Sequence, residues 1–275
     1  MHLISNLEMA TALDRVIAPV QRAARRLRPG PLRDALHGVW LGHPLHPVLV
    51  QVPAGTWLSA SFLDLWPGNA AASRRLVTAG LAASVPAALA GTADWSELHE
   101  QQMRVGIVHA LANSAAVGLY AASLAFPARA RLLRAGGLAA TTAGGLLGGH
   151  LSFRQSAGAN QAEPVPHLTQ PGWHDLRSAA GLPDRKPVRQ LLGDVPLVIV
   201  REGRDVHVLA DRCSHLSGPL SDGDYNDGCL TCPWHGSSFR LSDGSVARGP
   251  ATAPQPAFET RIVDGIIQVC LPGAG

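Results

Sequence analysis

Four long apolar runs dominate the first half of the chain. Each lacks Asp, Glu, Lys and Arg, and they cover residues 48–63, 76–93, 105–128 and 135–153. Each approaches the ~20 residues that a membrane-spanning helix needs, and none has a polar face at helical spacing. The pattern predicts an all-α four-helix transmembrane bundle within residues 1–155. Because the runs contain more Ala and Gly than Leu, a soluble helical bundle is the alternative.

The second half of the chain has the pattern of a β-domain. Short apolar segments flank turn residues, as at 197–200 and 206–210, and Asp264-Gly265 lies between the last two segments. Such pairs are typical of hairpins, so we predict an all-β antiparallel sandwich over residues 173–275. Residues 156–172 are rich in Gly, Pro, Gln and Asn and predict a semi-rigid linker between two domains.

Composition changes this picture little. Apolar residues make up 46% and charged residues 16% of the 275-residue chain, and the net charge of +3 is too small to indicate a nucleic-acid partner. Six arginines precede the first apolar run: Arg15, Arg22, Arg25, Arg26, Arg28 and Arg33. No apolar signal-peptide core follows them, so they predict a basic N-terminal arm with an amphipathic helix lying at the membrane surface.

Two short motifs carry the candidate chemistry. Cys213-Ser214-His215 and Cys232-Pro233-Trp234-His235 each offer one thiolate and one imidazole. Such a set suits a tetrahedral zinc ion. It equally suits a [2Fe–2S] cluster in which two histidines replace two cysteines on one iron.

The residues around the second motif favour the cluster. Gly236-Ser237-Ser238-Phe239 follows His235, and a proline-rich loop covers residues 249–256. With these additions, the segment from Trp173 onwards closely resembles the Rieske iron–sulfur domain. The resemblance implies a [2Fe–2S] cluster held by the four motif residues, with three further residues around it. The ligands would be Cys213, His215, Cys232 and His235, and the surrounding residues Ser237, Trp234 and Pro250.

The resemblance also indicates the type of Rieske domain. High-potential members of quinol-oxidising complexes have a disulfide between the cluster loops, at the positions of Gly218 and Trp234. They also have a tyrosine that donates to a cysteine sulfur, where this chain has Phe239. Because hydrogen bonds to the sulfurs raise the potential, we expect a ferredoxin-type domain near the low end of the Rieske range.

Two other cysteines have simpler interpretations. Cys229 enters a loop from a strand, so Cys229-Leu230-Thr231-Cys232 does not have the helical context of a redox-active C-x-x-C pair. Cys270 lies in the last apolar strand, where it is most simply a small core residue. Neither is a predicted ligand.

Four histidines are predicted on one side of the bilayer. With four spans, His43, His46, His109 and His150 all fall on the side that carries the cluster domain. Residues 38–155 resemble a family of four-span bacterial membrane domains with a His-Pro-x-His-Pro entry, a resemblance that brings no activity. Ionisable groups in membrane spans indicate function by default, so the histidines are a candidate site for haem b, a metal or a quinone. The alternative is ordinary interfacial histidine.

These observations define the function hypotheses. The first is a membrane-anchored one-electron carrier with a redox protein partner, exchanging electrons with a haem or quinone in its own helices. The alternative is a Rieske electron-transfer module whose helices only anchor it or dock a separate oxidoreductase. A Rieske-type oxygenase would need a mononuclear iron domain with two histidines and a carboxylate. The sequence ends at Gly275, without such a domain, so we expect no stand-alone oxygenase.

The location follows from the spans. They predict a multi-pass protein of the cell membrane. The arginines in the loops on the opposite side of the bilayer favour a position of the cluster domain outside the cytoplasm. The basic arm and cluster assembly in the cytosol favour the cytoplasmic side, which we prefer.

Overall fold

The structure is a computed structural model that describes residues 2–26 and 30–272, so Arg28 of the predicted basic arm lies outside the described residues. By their contacts, these residues form two compact units. The helical unit comprises residues 2–26 and 44–157, and the β unit comprises residues 30–43 and 158–272.

The helical unit contains seven α-helices among its described residues. They are α1 (His2–Glu8), α2 (Asp14–Ala24), α4 (His46–Leu49), α5 (Gln51–Leu63), α6 (Ala70–Trp95), α7 (Glu100–Ala125) and α8 (Ala130–Gly149), while α3 (Pro31–His37) and α9 (Val165–Leu168) belong to the β unit. A π-helical turn, His150–Arg154, continues α8.

Two helices, α6 and α7, are long and apolar enough to cross a membrane by length and composition. The sequence predicted four such spans. The helix in the first apolar run, α5, begins at Gln51 and has 13 residues, about 20 Å at 1.5 Å per residue, against a hydrocarbon core of about 30 Å. The helix α8 has 20 residues but carries Arg131 and Arg134 together with several glycines, which lower its mean hydropathy.

Several charged groups of the helical unit form ion pairs. The carboxylate of Asp64 at the end of α5 accepts two hydrogen bonds from Arg134 of α8, at 2.5 and 2.7 Å. The basic arm also folds back, since Arg104 of α7 donates to both carboxylate oxygens of Asp14 at 2.8 Å. Ile17 of α2 is buried beside Trp95. The arm therefore packs on the turn between α6 and α7.

The β unit contains two antiparallel sheets. The larger has the strand order β1-β10-β9-β4-β3-β2 and the smaller the order β5-β6-β7-β8. The strands are β1 (His174–Ser178), β2 (Val188–Leu192), β3 (Val195–Glu202), β4 (Asp205–Ala210), β5 (Asp224–Asn226), β6 (Cys229–Thr231), β7 (Ser238–Arg240), β8 (Val246–Arg248), β9 (Ala257–Val263) and β10 (Ile266–Cys270). Of the larger sheet's inward residues, Leu197, Ile199 and Ile267 are fully buried.

The two predicted hairpins are confirmed. Strands β3 and β4 pair from Leu197↔Ala210 to Glu202↔Asp205. Strands β9 and β10 pair around Asp264-Gly265, whose positive φ angles of 50° and 79° are typical of tight hairpin turns.

Two segments from outside the predicted β-domain pack with the β unit. Residues 30–43, with α3, group with the sheets although the sequence assigned them to the membrane domain. Part of the predicted linker is likewise a packed element, since Val165 of α9 lies in the core of the larger sheet. The fold thus extends the β unit beyond residues 173–275 on the N-terminal side.

Candidate metal centre

Two loops with the same backbone hydrogen-bond pattern carry the two motifs. Loop 1 (residues 211–219) follows β4, and loop 2 (residues 232–237) joins β6 to β7. In loop 1, the carbonyl of Cys213 accepts from the N–H of Ser217 at 2.8 Å, and the N–H of Cys213 donates to Gly218 at 2.9 Å.

Loop 2 repeats this arrangement around Cys232. Its carbonyl accepts from Gly236 at 3.1 Å, and its N–H donates to Ser237 at 2.8 Å. Ser217 and Gly236, at equivalent places, both have positive φ, 61° and 75°. Each loop therefore turns back on itself in the same way, and each aims a Cys and a His side chain in one direction.

The loops bring the cysteines together and the histidines together. The side chains of Cys213 and Cys232 are in hydrogen-bond contact and are 1% and 3% exposed. The rings of His215 and His235 have centroids 5.1 Å apart at an interplanar angle of 86°, and both residues are partly exposed. The four residues thus form a buried sulfur pair and a more accessible imidazole pair.

Backbone N–H groups surround the sulfurs. The N–H groups of the next loop residues, Trp234 and His235, donate to the sulfur of Cys232. The shared hydrogen bond with Cys213 lowers the pKa of Cys232 to about 7, and the same contact raises the pKa of the Cys213 thiol. Oriented N–H donors stabilise thiolate charge and tune a metal bound by the thiolates.

The donor set fits a [2Fe–2S] cluster with paired ligands. Two imidazoles on one tetrahedral ion, with metal–nitrogen distances of ~2.0–2.1 Å, place their ring centroids about 5 Å apart. The two sulfurs in contact and the two imidazoles beside them offer a pair of ligands to each of two irons.

Gly218 leaves no room for a side chain between the loops. A Cβ atom there would lie 2.9 Å from Sγ of Cys232 and 3.0 Å from the ring of Trp234. Positions 218 and 234 are thus adjacent across the loops. The indole of Trp234, 50% exposed, covers this place.

The proline-rich loop is tied to both ligand loops. The Oγ atom of Ser237 accepts from the N–H of Ala251 at 2.9 Å, next to the buried Pro250. On the other side, Oγ of Ser214 donates to Ala253 at 2.7 Å and its N–H donates to Oε1 of Gln255 at 3.0 Å. Ser237 therefore positions the second loop. Phe239 is fully buried beneath the same loops.

Two residues at this centre escaped the sequence analysis. Asp34 of α3 accepts from the N–H of Gly249 in the proline-rich loop at 3.0 Å. The N–H of Gln161, from the predicted linker, donates to the carbonyl of Ser214 in loop 1 at 2.9 Å. No local pattern marks them, because both contacts join segments far apart in the sequence.

The four histidines predicted as a second site, His43, His46, His109 and His150, have different surroundings. His43 is exposed and groups with the β unit. His150 lies 2.6 Å from the carboxylate of Glu8 in α1. His46 and His109 lie close to each other, with ring centroids 6.3 Å apart. Of the four histidines, the structure therefore brings His46 and His109 together, while His150 pairs with Glu8.

Comparison with known proteins identifies the β unit. Residues 172–259 match the family model of the Rieske [2Fe-2S] domain. The anthranilate 1,2-dioxygenase ferredoxin subunit of Burkholderia cepacia is 32% identical over 97 residues, which are 35% of this chain and 90% of that protein.

Two further relatives match over shorter stretches. Ferredoxin CarAc of Metapseudomonas resinovorans is 32% identical over 78 residues, 28% of this chain and 73% of that protein. The cytochrome b6-f complex iron-sulfur subunit 1 of Synechocystis sp. is 40% identical over 82 residues, 29% of this chain and 45% of that protein. Through its C-terminal β unit, the chain belongs to the Rieske [2Fe-2S] domain family.

Proposed function

We propose that this protein is a membrane-anchored one-electron carrier with a ferredoxin-type Rieske cluster. The observation that carries the proposal is the pairing of buried Cys213 and Cys232 with partly exposed His215 and His235 on two equivalent loops. The bound [2Fe–2S] cluster supplies one-electron oxidation and reduction. The chain's own residues orient the ligands, and the accessible imidazoles provide the surface at which a partner approaches.

A redox protein partner follows from the same arrangement. Relatives with this domain include the ferredoxin subunit of an anthranilate dioxygenase and a cytochrome b6-f subunit. The half-exposed Trp234 lies beside the partly exposed ligand His235. Aromatic side chains of this kind are enriched in the central contacts of protein interfaces.

Membrane anchoring is supported by the helical unit. Only 28% and 22% of the most apolar segments of α6 and α7 are buried, so most of their apolar side chains face outward. Large aliphatic residues such as Val85, Leu89 and Leu111 are more than half exposed. Contiguous apolar surface of this kind favours lipid. We propose that the whole helical unit, including α5 and α8, is embedded in the bilayer.

A second candidate keeps the cluster but makes the helices an anchor or docking element for a separate oxidoreductase. The polar pairs within the helices, such as Asp64 with Arg134, fit this role as well. Electron exchange with a haem or quinone requires a cofactor site within the helices. The proximity of His46 and His109 supports such a site.

Replacing a proposed ligand should abolish the cluster. We expect His215→Ala and His235→Ala to lose the [2Fe–2S] electron paramagnetic resonance signal and the matching iron, because each removes one of two nitrogen ligands from the same iron. Cys270→Ser, at a cysteine outside the ligand loops, is the control and should retain both. Stoichiometric zinc with no iron in the wild type would contradict the assignment.

The cluster should have a low midpoint potential, on the order of −150 mV. The fully buried Phe239 offers no hydroxyl donor to a sulfur, and the adjacent positions 218 and 234 hold Gly and Trp without a disulfide. Redox titration of the purified full chain measures this. A value above roughly +200 mV would contradict the ferredoxin-type assignment.

Asp34 should tune the cluster through the proline-rich loop. Asp34→Asn retains an oxygen that accepts from Gly249 but removes a negative charge, which should raise the midpoint potential by on the order of tens of millivolts. Asp34→Ala also removes the hydrogen bond, and should destabilise the β unit by about 1 kcal/mol. Redox titration and denaturant unfolding separate the two effects. Equal potentials in wild type and Asp34→Asn would exclude the electrostatic role.

The helical unit should hold the protein in membranes after an alkaline carbonate wash. Val85→Arg places a charge on the outward face of α6, at a cost of about 2.5–3.5 kcal/mol near a bilayer centre, and should sharply reduce the amount in washed membranes. The matched control is Leu191→Arg, at a 54% exposed residue of β2 compared with 59% for Val85. Extraction of the wild type by carbonate would exclude the anchor.

A further inference from the structure

Two histidine side chains meet between the helices of the helical unit. His46 is the first residue of α4, and His109 lies in the third turn of α7. Their ring centroids are 6.3 Å apart and their planes stand at 80°. Both rings are partly buried, and neither contributes to the cluster loops.

Hydrogen bonds to backbone carbonyls set the tautomer of both rings. The Nδ1 atom of His46 lies 2.8 Å from the carbonyl oxygen of Ala87 in α6, and Nδ1 of His109 lies 2.8 Å from that of Gly144 in α8. A carbonyl oxygen only accepts, so each Nδ1 carries the hydrogen. In a neutral ring, Nε2 then keeps its lone pair. This is the arrangement in which metal-binding histidines are usually held.

Asn113, one turn after His109, does not use that lone pair. Its Nδ2 atom is 3.4 Å from Nδ1 and 3.3 Å from Nε2 of the ring. In the plane of the ring, a nearly equidistant position would collide with Cε1, so the amide lies over the ring face. Its in-range acceptor is the carbonyl of His109 at 2.9 Å. The in-plane position at Nε2 stays available to a ligand.

Glycines make the space that both rings occupy. A Cβ at Gly91 of α6 would lie 2.7 Å from Nδ1 of His46. A Cβ at Gly148 of α8 would lie 3.2 Å from Cε1 of His109. Each ring is therefore fitted against the backbone of a neighbouring helix, which limits its movement. Such pre-organisation lowers the entropic cost of binding a ligand.

We propose that His46 and His109 bind one transition-metal centre through their Nε2 atoms, either the iron of a haem or a copper ion. Two imidazoles on opposite sides of one metal have centroids about 6 Å apart, compared with about 5 Å for tetrahedral ligands, and the observed 6.3 Å matches the former. Axial ligation of haem iron and linear Cu(I) coordination each need only two such donors.

The surroundings argue against other ligand sets. Among the described residues, no third His, Cys, Asp or Glu joins the pair at one ion position, which disfavours a zinc site with three or four protein ligands. The ring of His150, in the π-helical turn that continues α8, is engaged through Nε2 with Glu8 at 2.6 Å. The site deepens the proposed function, on which it rests for a redox centre in the helices, and its residues lie outside the cluster loops.

The experiment uses the full chain in detergent, titrated separately with haemin and with Cu(I). His46→Asn and His109→Asn are the test variants, because the asparagine amide can still donate to the carbonyl that Nδ1 bonds but lacks Nε2. His150→Asn is the matched control. We expect the wild type to bind one equivalent of one probe, with at least tenfold weaker binding in either test variant and a change below twofold in the control.

Several results would overturn the proposal. These are no stoichiometric binding of either probe, unchanged binding in both test variants, or an equal loss in the control. An unchanged [2Fe–2S] signal and elution volume confirm that a variant is folded. Should a variant misfold, pulsed electron paramagnetic resonance of the wild type decides, with ferric haem or with copper oxidised to Cu(II). Two imidazole nitrogens on the metal support the site, and their absence excludes it.

Discussion

The β unit depends on bringing two cysteine sulfurs into contact in a place shielded from water. Thiolates there need donors, and the loops supply them from the backbone N–H groups that follow each cysteine. Supplying them requires each loop to reverse within a few residues, which is why Ser217 and Gly236 adopt positive φ. The sheets hold the loop ends apart at a fixed distance, and Gly218 lets the loops approach each other.

Residues outside the segment 172–259, which matches the family model, also hold the loops. Asp34 reaches the proline-rich loop from before the helical unit, and Gln161 reaches loop 1 from after it. In the sequence, both segments continue directly into the helices. Both hydrogen bonds hold loops that carry or support the ligands, so the two segments contribute to the position of the ligands.

The helical unit has a different constraint, because its polar side chains lie among apolar helices and need hydrogen-bond partners there. Asp64 with Arg134 does so by a bidentate ion pair, and His46 and His109 do so through carbonyls of neighbouring helices. Uncompensated groups of this kind cost several kcal/mol in an apolar medium. Pairing keeps the helices in register, and in the case of the histidines it leaves one nitrogen of each ring for another role.

The sequence alone determined the β-domain, its hairpins and the residues of the two motifs, because strand alternation, Asp-Gly turns and ligand spacing are local properties. It also located the apolar runs, but only the structure decided where helices begin and end within them: α5 is too short, and α8 too polar, to meet the same span criterion as α6 and α7. The contact of His109 with His46, the packing of residues 30–43 on the β unit and the role of Asp34 needed the tertiary structure. Each joins residues distant in sequence, and helix rotation and chain path, which set such contacts, leave no mark on local pattern.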